Sequence, residues 1–396
     1  MRVKIGLEVL LERGGDLVRG KTLGVICNQA SIGPGFAHSV DLLASVPGVR
    51  IGALLGPEHG VRGQAQDMIA VESGAAEGPR DRKTGAPVHS LYGATYESLT
   101  PTPDMLKGLE ALVFDMQDVG ARYYTFYATM VLAMRAAAQG GLRFIVLDRP
   151  NPLGGEVMEG GLQRDGFESF VGLVPMPVRH GLTLGEIAGF ANERFRIGAD
   201  LHIVPMRGWS RSMLWHETGL PFVPPSPNMP TPDTAFVYPG MCLVEGTLLS
   251  EARGTTRPFE QSGAPYLDPE RLAESLNARR LPGVHFRPCW FRPTFHKFAM
   301  KDCGGVFLHV TDRRTFQPYR SGLAFIEAAQ AQARQDFCWR TERYEFVDDV
   351  PAFDLLTGSG EVRARFDSGR PIDELLASWN EEVAQFRSAR APFLLY

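Results

Sequence analysis

A glutamate, a histidine and an arginine fall within one short stretch, Gly56-Pro57-Glu58-His59-Gly60-Val61-Arg62-Gly63. The stretch follows an apolar run, Ile51-Gly52-Ala53-Leu54-Leu55, of the kind that forms a buried strand. Glycines and a proline hold the chain in a tight, irregular turn. A strand that ends in such a turn, carrying an acid, a base and a guanidinium, has the makings of an active-site corner. Further along, three more apolar runs finish in polar clusters: Asn28-Gln29, Asp115-Met116-Gln117-Asp118, and Asp148-Arg149-Pro150-Asn151. Carboxylates directly after three successive strands suit general acid and base work. Paired carboxyls in particular suit glycosidic bond cleavage, where one group protonates the leaving oxygen. Glu58, set by Pro57 against an apolar strand, is the strongest candidate acid. Asp115, Asp118, Asp148, Glu245 and Glu251 are candidates to share its cleft. Arginines recur at the same strand ends and loops (Arg62, Arg122, Arg149, Arg179, Arg253 and Arg257), which points to an anionic substrate, since a guanidinium grips carboxylate or phosphate bidentately. At least half of these arginines are expected to pair with local aspartates instead. Tyr123, Tyr124 and Tyr127 could stack on a sugar face or pack in a helix core.

The elements that must position these groups read as alternating strand and helix. Strands are expected at Thr22–Cys27, Val49–Leu55, Ala111–Phe114, Arg143–Leu147 and Leu201–Pro205. Helices are expected at Lys4–Arg19, Ser39–Ser45, Asp104–Leu109, Tyr123–Gln139 and from Thr183, where Glu186 three residues on makes a capping box. Short continuous apolar strands between helices form a parallel sheet covered on both faces. The fold class is therefore α/β, with a Rossmann-like, doubly wound, mostly parallel sheet, and ligands belong outside the carboxyl ends of its strands. The stretch from Arg62 to His89 is polar and long, and reads as a loop that could form a lid. A proline-rich stretch, Pro221 to Pro232, reads as an extended, rigid crossing segment. It divides the chain into an N-terminal domain, 1–232, and a smaller α+β domain, 233–396, with the cleft between them. In the second part Val306–Val310 reads as a strand, Gly322–Arg334 as a helix, and Ile372 to Arg387 as one helix with a single apolar stripe.

Several chemistries are excluded or weakened. No GxGxxG follows the first strand and no GxxxxGK[ST] occurs, so neither a dinucleotide nor a nucleotide cofactor is expected. GxSxG is absent, which argues against a serine hydrolase of the nucleophile-elbow type. The five cysteines are scattered and form no CxxC pair, so they read as free thiols. His59, His180 and His296 could join Asp115 or Asp118 on a divalent ion, but no HxH or HExxH spacing supports it. A metal-assisted hydrolase built on His59, His180, Asp115 and Asp118 is thus the alternative reading, and no resident cofactor is expected. In 396 residues the net charge is −4, no footprint for nucleic acid, and no apolar run is long enough for a membrane span. The N-terminus has no apolar h-region or cleavage site. The chain as written is expected to be cytoplasmic, or extracellular or periplasmic if its numbering starts at a mature form.

The longer motifs resemble the NamZ-type exo-β-N-acetylmuramidases, glycoside hydrolase family 171, once filed as a domain of unknown function. The resemblance rests on Gly56–Gly63, Asp115–Thr125, Asp148–Pro152 and Arg179-His180-Gly181-Leu182-Thr183. It continues through Pro225-Ser226-Pro227-Asn228-Met229-Pro230, Glu245-Gly246-Thr247 and Ser250-Glu251, and covers nearly the whole chain in order. It implies a Rossmann-like domain, a smaller C-terminal domain, and release of N-acetylmuramic acid from non-reducing ends of peptidoglycan fragments. It implies Glu58 as general acid/base; the strand-end carboxylates Asp115 and Asp118 are the further catalytic candidates. Asn28, His59, Arg62, Gln117, Arg122, Tyr123, Tyr124, Asp148, Arg149, Asn151, Arg179, His180, Asn228, Glu245 and Glu251 are the candidate substrate-binding residues. A lactyl carboxylate would be held by an arginine. Ala252 stands where a glycine is expected, and Leu248-Leu249 replaces a more polar pair. A non-catalytic binder of cell-wall sugars is the remaining alternative.

Overall fold

The computed structural model describes residues 2–66, 68, 69 and 79–396. Its first half follows the expected alternation: α1 (Gly6–Glu12), β1 (Thr22–Cys27), α2 (Ser39–Ala44), β2 (Arg50–Gly56), β3 (Val88–Ser90), α3 (Pro103–Leu106), β4 (Ala111–Asp115), α4 (Phe126–Gln139), β5 (Arg143–Leu147), α5 (Leu184–Arg194) and β6 (Asp200–Val204). Among the described residues the six strands form one parallel sheet in the order β3-β2-β1-β4-β5-β6. Alternation sorts the side chains to two cores. Leu23, Val25, Ala111, Val113, Ile145 and Leu147 pack with α1 and α2 on one face. Ile26, Leu55, Leu112, Phe114, Phe144 and Val146 pack with α4 and α5 on the other. Both faces are covered, which is why these strands read as unbroken apolar runs.

The second half comprises α6 (Pro232–Met241), β7 (Gln261–Ala264), α7 (Pro269–Ala278), β8 (Val284–Phe291), β9 (Cys303–Val310), α8 (Pro318–Gln332), α9 (Ala352–Thr357), α10 (Glu361–Asp367), α11 (Ile372–Ser378) and α12 (Asn380–Arg390). Its strands form an antiparallel sheet in the order β7-β9-β8. Its core is continuous with the α4/α5 side of the first sheet. No helix of the described residues is long and apolar enough to cross a membrane.

Some expected elements differ. The Arg62–His89 loop ends in an edge strand, β3, which pairs with Leu54–Gly56 and was hidden by its three-residue length. Residues 67 and 70–78 of that loop lie outside the described residues. The first helix stops at Glu12, because Gly14 and Gly15 both adopt positive φ. The final helix breaks at Trp379 into α11 and α12. At α5 the capping box forms as expected: Thr183 Oγ1 accepts from Glu186 N, and Glu186 accepts from Thr183 N.

The strand ends are tied by a buried ion pair. Arg149 Nε donates to Asp115 Oδ1 at 2.6 Å and Nη2 to Oδ2 at 2.9 Å; the two side chains are 6% and 0% exposed. The same Nη2 reaches Ile32 O at 2.9 Å. One guanidinium thus joins the loops after β1, β4 and β5. Removing one partner of such a pair strands a buried charge. Arg149→Ala should therefore lower unfolding stability by about 3–5 kcal/mol, read from the denaturant midpoint. A loss under 1 kcal/mol would show that the pair does not tie these loops.

Candidate active site

Glu58 is placed by the turn after β2. A Cβ at Gly56 would lie 2.6 Å from Val61 N, so only glycine lets the turn fold this closely onto the strand end. His59 (φ +72) and Gly60 (φ +79) then take left-handed conformations that turn Glu58 inward. Its carboxyl is buried. Thr125 Oγ1, at the start of α4, donates to Oε2 at 2.8 Å, and Met68 N reaches Oε1 at 3.4 Å.

Glu58 opens on a narrow cavity between the two halves of the chain. From the first half come Glu58, His59, Tyr123, Tyr124, Thr125 and Phe126, and from the proline-rich crossing Ser226, Asn228 and Met229. From the second half come Tyr238, Glu245, Arg253, Phe259, Tyr344 and Glu345. The tyrosines are not free. Tyr123 donates to Pro239 O, and its ring and that of Tyr124 pack edge-on against Tyr238 at 5.7 Å each. Burial pushes the Tyr124 and Tyr238 hydroxyls far above their ordinary range. Arg253 Nη2 donates to Glu245 Oε1 at 2.7 Å, and its guanidinium lies over the Phe259 ring at 5.0 Å. Tyr344 Oη donates to Glu245 Oε2 at 2.7 Å. Behind Arg253, Glu251 is fully buried, which opposes ionisation. Lys297 (2.9 Å), Arg253 (3.3 Å) and His296 (3.1 Å) overcome this and hold its carboxyl below the usual range.

Of the residues expected to bind substrate or act on it, Glu58, His59, Tyr123, Tyr124, Asn228 and Glu245 are brought together. The others lie outside this cavity. Asp115 and Arg149 neutralise one another. Arg122 is wholly buried and donates to the carbonyls of Gly161, Met176 and Leu356. Arg179 holds Glu159 (2.9 Å) and Leu153 O. Asn28 bonds Pro225 O and so tethers the crossing segment. Gln117 bonds the carbonyls of Asp118 and Pro150, and Asn151 that of Leu182. Asp118 accepts from Gly120 N, and His180 Nε2 lies 3.3 Å from it. His180 Nδ1 accepts from Leu182 N, so its ring proton belongs on Nε2, facing Asp118. Arg62 is exposed and lines a separate hollow with His38, Asp41, Arg82 and Lys83. Glu251 lies behind the cavity wall rather than in it.

Of the four residues of the metal reading, Asp115 pairs with Arg149, His59 Nδ1 lies 2.8 Å from Ala65 O, and Asp118 and His180 face one another. No three metal-ligating side chains converge among the described residues. Thr125, Ser226, Tyr238, Tyr344 and Glu345 went unrecognised from sequence. The Tyr344-Glu345 pair, a carboxyl between two aromatics in Arg343-Tyr344-Glu345-Phe346, was the one available signal. Ala252, where a glycine was expected, adopts φ +61, a conformation that favours glycine.

Asp148 also lies outside the cavity. It accepts from Gly185 N (2.8 Å), Thr183 Oγ1 (2.7 Å) and Tyr396 Oη (2.8 Å), fixing the start of α5 and the last residue of the chain. Burial outweighs these bonds and pushes its carboxyl up to about 6. A native-state value raised above the unfolded one stabilises the fold at low pH, and that contribution is lost as pH rises through about 6. Relative to Asp148→Asn, the unmodified protein should lose ~2 kcal/mol between pH 4.5 and 7. Parallel denaturation curves across that range would show it, and a constant gap between the two proteins would refute it.

Comparison with known proteins adds the following. Residues 23–233 match the model for the N-terminal domain of exo-β-N-acetylmuramidase NamZ, and residues 236–396 match its C-terminal domain. The chain is 44% identical over 395 residues to the peptidoglycan β-N-acetylmuramidase NamZ of Bacillus subtilis (strain 168), covering 100% of this chain and 92% of that protein. Two DUF1343 family crystal structures from Bacteroides fragilis NCTC 9343 superpose over the whole chain and 99% of theirs. Their TM-scores are 0.89 and 0.76, at 35% and 28% identity.

Proposed function

The chain belongs to the NamZ exo-β-N-acetylmuramidase family and is a glycosidase, and on that premise we propose how its cavity works. The substrate is the N-acetylmuramic acid unit at the non-reducing end of a peptidoglycan fragment, and the reaction is its exo-acting hydrolytic release. The observation that carries this reading is one cavity holding both a buried carboxyl, Glu58, and a guanidinium, Arg253. Muramic acid differs from N-acetylglucosamine by a lactyl carboxylate. Arg253 supplies the complementary charge, and its pairing with Glu245 holds the guanidinium in place. Apolar faces of Phe259, Tyr238 and Tyr124 offer a wall for the sugar ring. Glu58 protonates the glycosidic oxygen as the bond to the anomeric carbon breaks. As a carboxylate it then draws the proton from the incoming water, the acid and base halves of one cycle.

Hydrolysis of a chromogenic β-N-acetylmuramic acid glycoside, beside its N-acetylglucosamine analogue, tests both parts. Glu58→Gln should lose on the order of 10²–10⁴-fold in rate while folding normally. Arg253→Gln should lose roughly 10–100-fold in kcat/KM on the muramic compound, with much less effect on the glucosamine analogue. Equal wild-type turnover of both sugars would remove the lactyl role of Arg253. A Glu58→Gln enzyme of wild-type rate would remove Glu58 as the acid.

A further inference from the structure

Among the described residues three carboxyls line the cavity: Glu58, Glu245 and Glu345. Glu245 has both oxygens engaged, one by Arg253 and one by Tyr344. Its charge is committed to holding the guanidinium. Glu345 enters from the second half of the chain and is only 5% exposed. It sits where the cavity meets an adjoining hollow lined by Met68, Tyr92, Gly93, Arg343 and Phe346.

The backbone that presents it is strained. Glu345 has φ +46 and Phe346 φ +70, two consecutive non-glycine residues in the left-handed region. Each such residue is held against its backbone preference. The conformation is enforced from several sides. Tyr344 N and Val347 N each donate to the other's carbonyl at 3.0 Å. The Phe346 ring packs edge-on against Tyr92 at 5.4 Å and Phe170 at 6.3 Å. Tyr92 Oη donates to Glu345 Oε2 at 3.0 Å. Tyr92 follows β3, whose partner β2 ends just before Glu58, so one sheet edge braces both carboxyls. A residue that only filled space here would need neither the strain nor a buried carboxyl, which is costly to bury. Strain of this kind also surrounds the cavity at His59, Ala252 and Phe259, the last two at φ +61 and +63. Such clusters mark sites where geometry serves chemistry.

We propose that Glu345 is the second reacting carboxylate of the site, stabilising the positive charge that develops at the anomeric carbon. This rests on the glycosidase reading and adds a residue to it. Glu58 gives its proton to the departing oxygen, and the electron pair of the broken bond leaves with that oxygen. The field of Glu345 offsets the charge left on the ring, without a bond to Glu345 being formed.

The test uses aryl β-N-acetylmuramic acid glycosides of graded leaving-group acidity. Wild type, Glu58→Gln, Glu345→Gln and Glu345→Asp are compared, with thermal unfolding of each. Glu345→Gln should lose ~10²-fold or more in kcat with KM little changed. The loss should be the same for every aglycone, because ring charge develops whichever group departs. The Glu58→Gln loss should instead grow as the leaving group becomes less acidic. A Glu345→Gln kcat within about threefold of wild type, or a loss confined to KM, overturns the assignment. Should Glu345→Gln unfold early, Glu345→Asp decides. It keeps the charge on a shorter arm, so a tenfold kcat loss in a folded protein supports the role and a wild-type kcat overturns it. A wild type inactive on every muramic glycoside overturns the glycosidase reading, and the role of Glu345 with it. Wild-type activity that survives Glu345→Gln overturns the role of Glu345 alone.

Discussion

The ion pair between Asp115 and Arg149 sets the plan of this molecule. In a parallel sheet of this strand order the chain leaves β1 and β4 in opposite directions, and the gap between them is where such folds seat a dinucleotide. Here a guanidinium lies in that region, bonded to Asp115 from the β4 side and to Ile32 from the β1 side. The pair is nearly free of water, so its desolvation cost is offset only by the two-point geometry and the third bond to a carbonyl. The loops of three strands are thereby locked, and the candidate cavity lies to one side, at the end of β2.

A site at one sheet end needs an opposite wall, and the second half of the chain supplies it. The proline-rich crossing brings Ser226 and Asn228 to the cavity, and it is tethered by Asn28 and Gln29 through the carbonyls of Pro225 and Pro224. Arg122 joins the halves again, with donors to carbonyls of both. Rigid walls of this kind can hold Glu58, Arg253 and Glu345 in fixed relation, and they can bear the left-handed residues that crowd the cavity. Preorganised charge is worth most where water is excluded and the protein need not rearrange during reaction.

Much of the fold was legible because it depends on local pattern. Buried parallel strands are apolar on both faces, so β1, β2, β4, β5 and β6 stood out as runs, and the cap of α5 was written in Thr183 and Glu186. β3 escaped notice because three residues carry no periodicity. The break between α11 and α12 escaped because the apolar stripe continues across Trp379. At the site, Glu58 was visible through its glycine-rich turn, and Tyr123 and Tyr124 through their place before α4. The arginines were not separable by type. Arg122, Arg149, Arg179 and Arg253 all follow strands or sit in loops, yet only the last of these four faces the cavity.

By itself the sequence determined the family, the alternation of strand and helix, and the glutamate that follows the second strand. These rest on motifs and spacings of a few residues, which survive without knowledge of distant partners. Tertiary structure decided which polar groups are spent and which are available. Arg122 meets Leu356 O across 234 positions of the chain, Tyr92 meets Glu345 across 253, and Asp148 meets Tyr396 across 248. A carboxyl or guanidinium is the same chemical group in either role. Whether it neutralises a neighbour, closes on a carbonyl or faces an open cavity depends on what the fold brings within 3 Å of it.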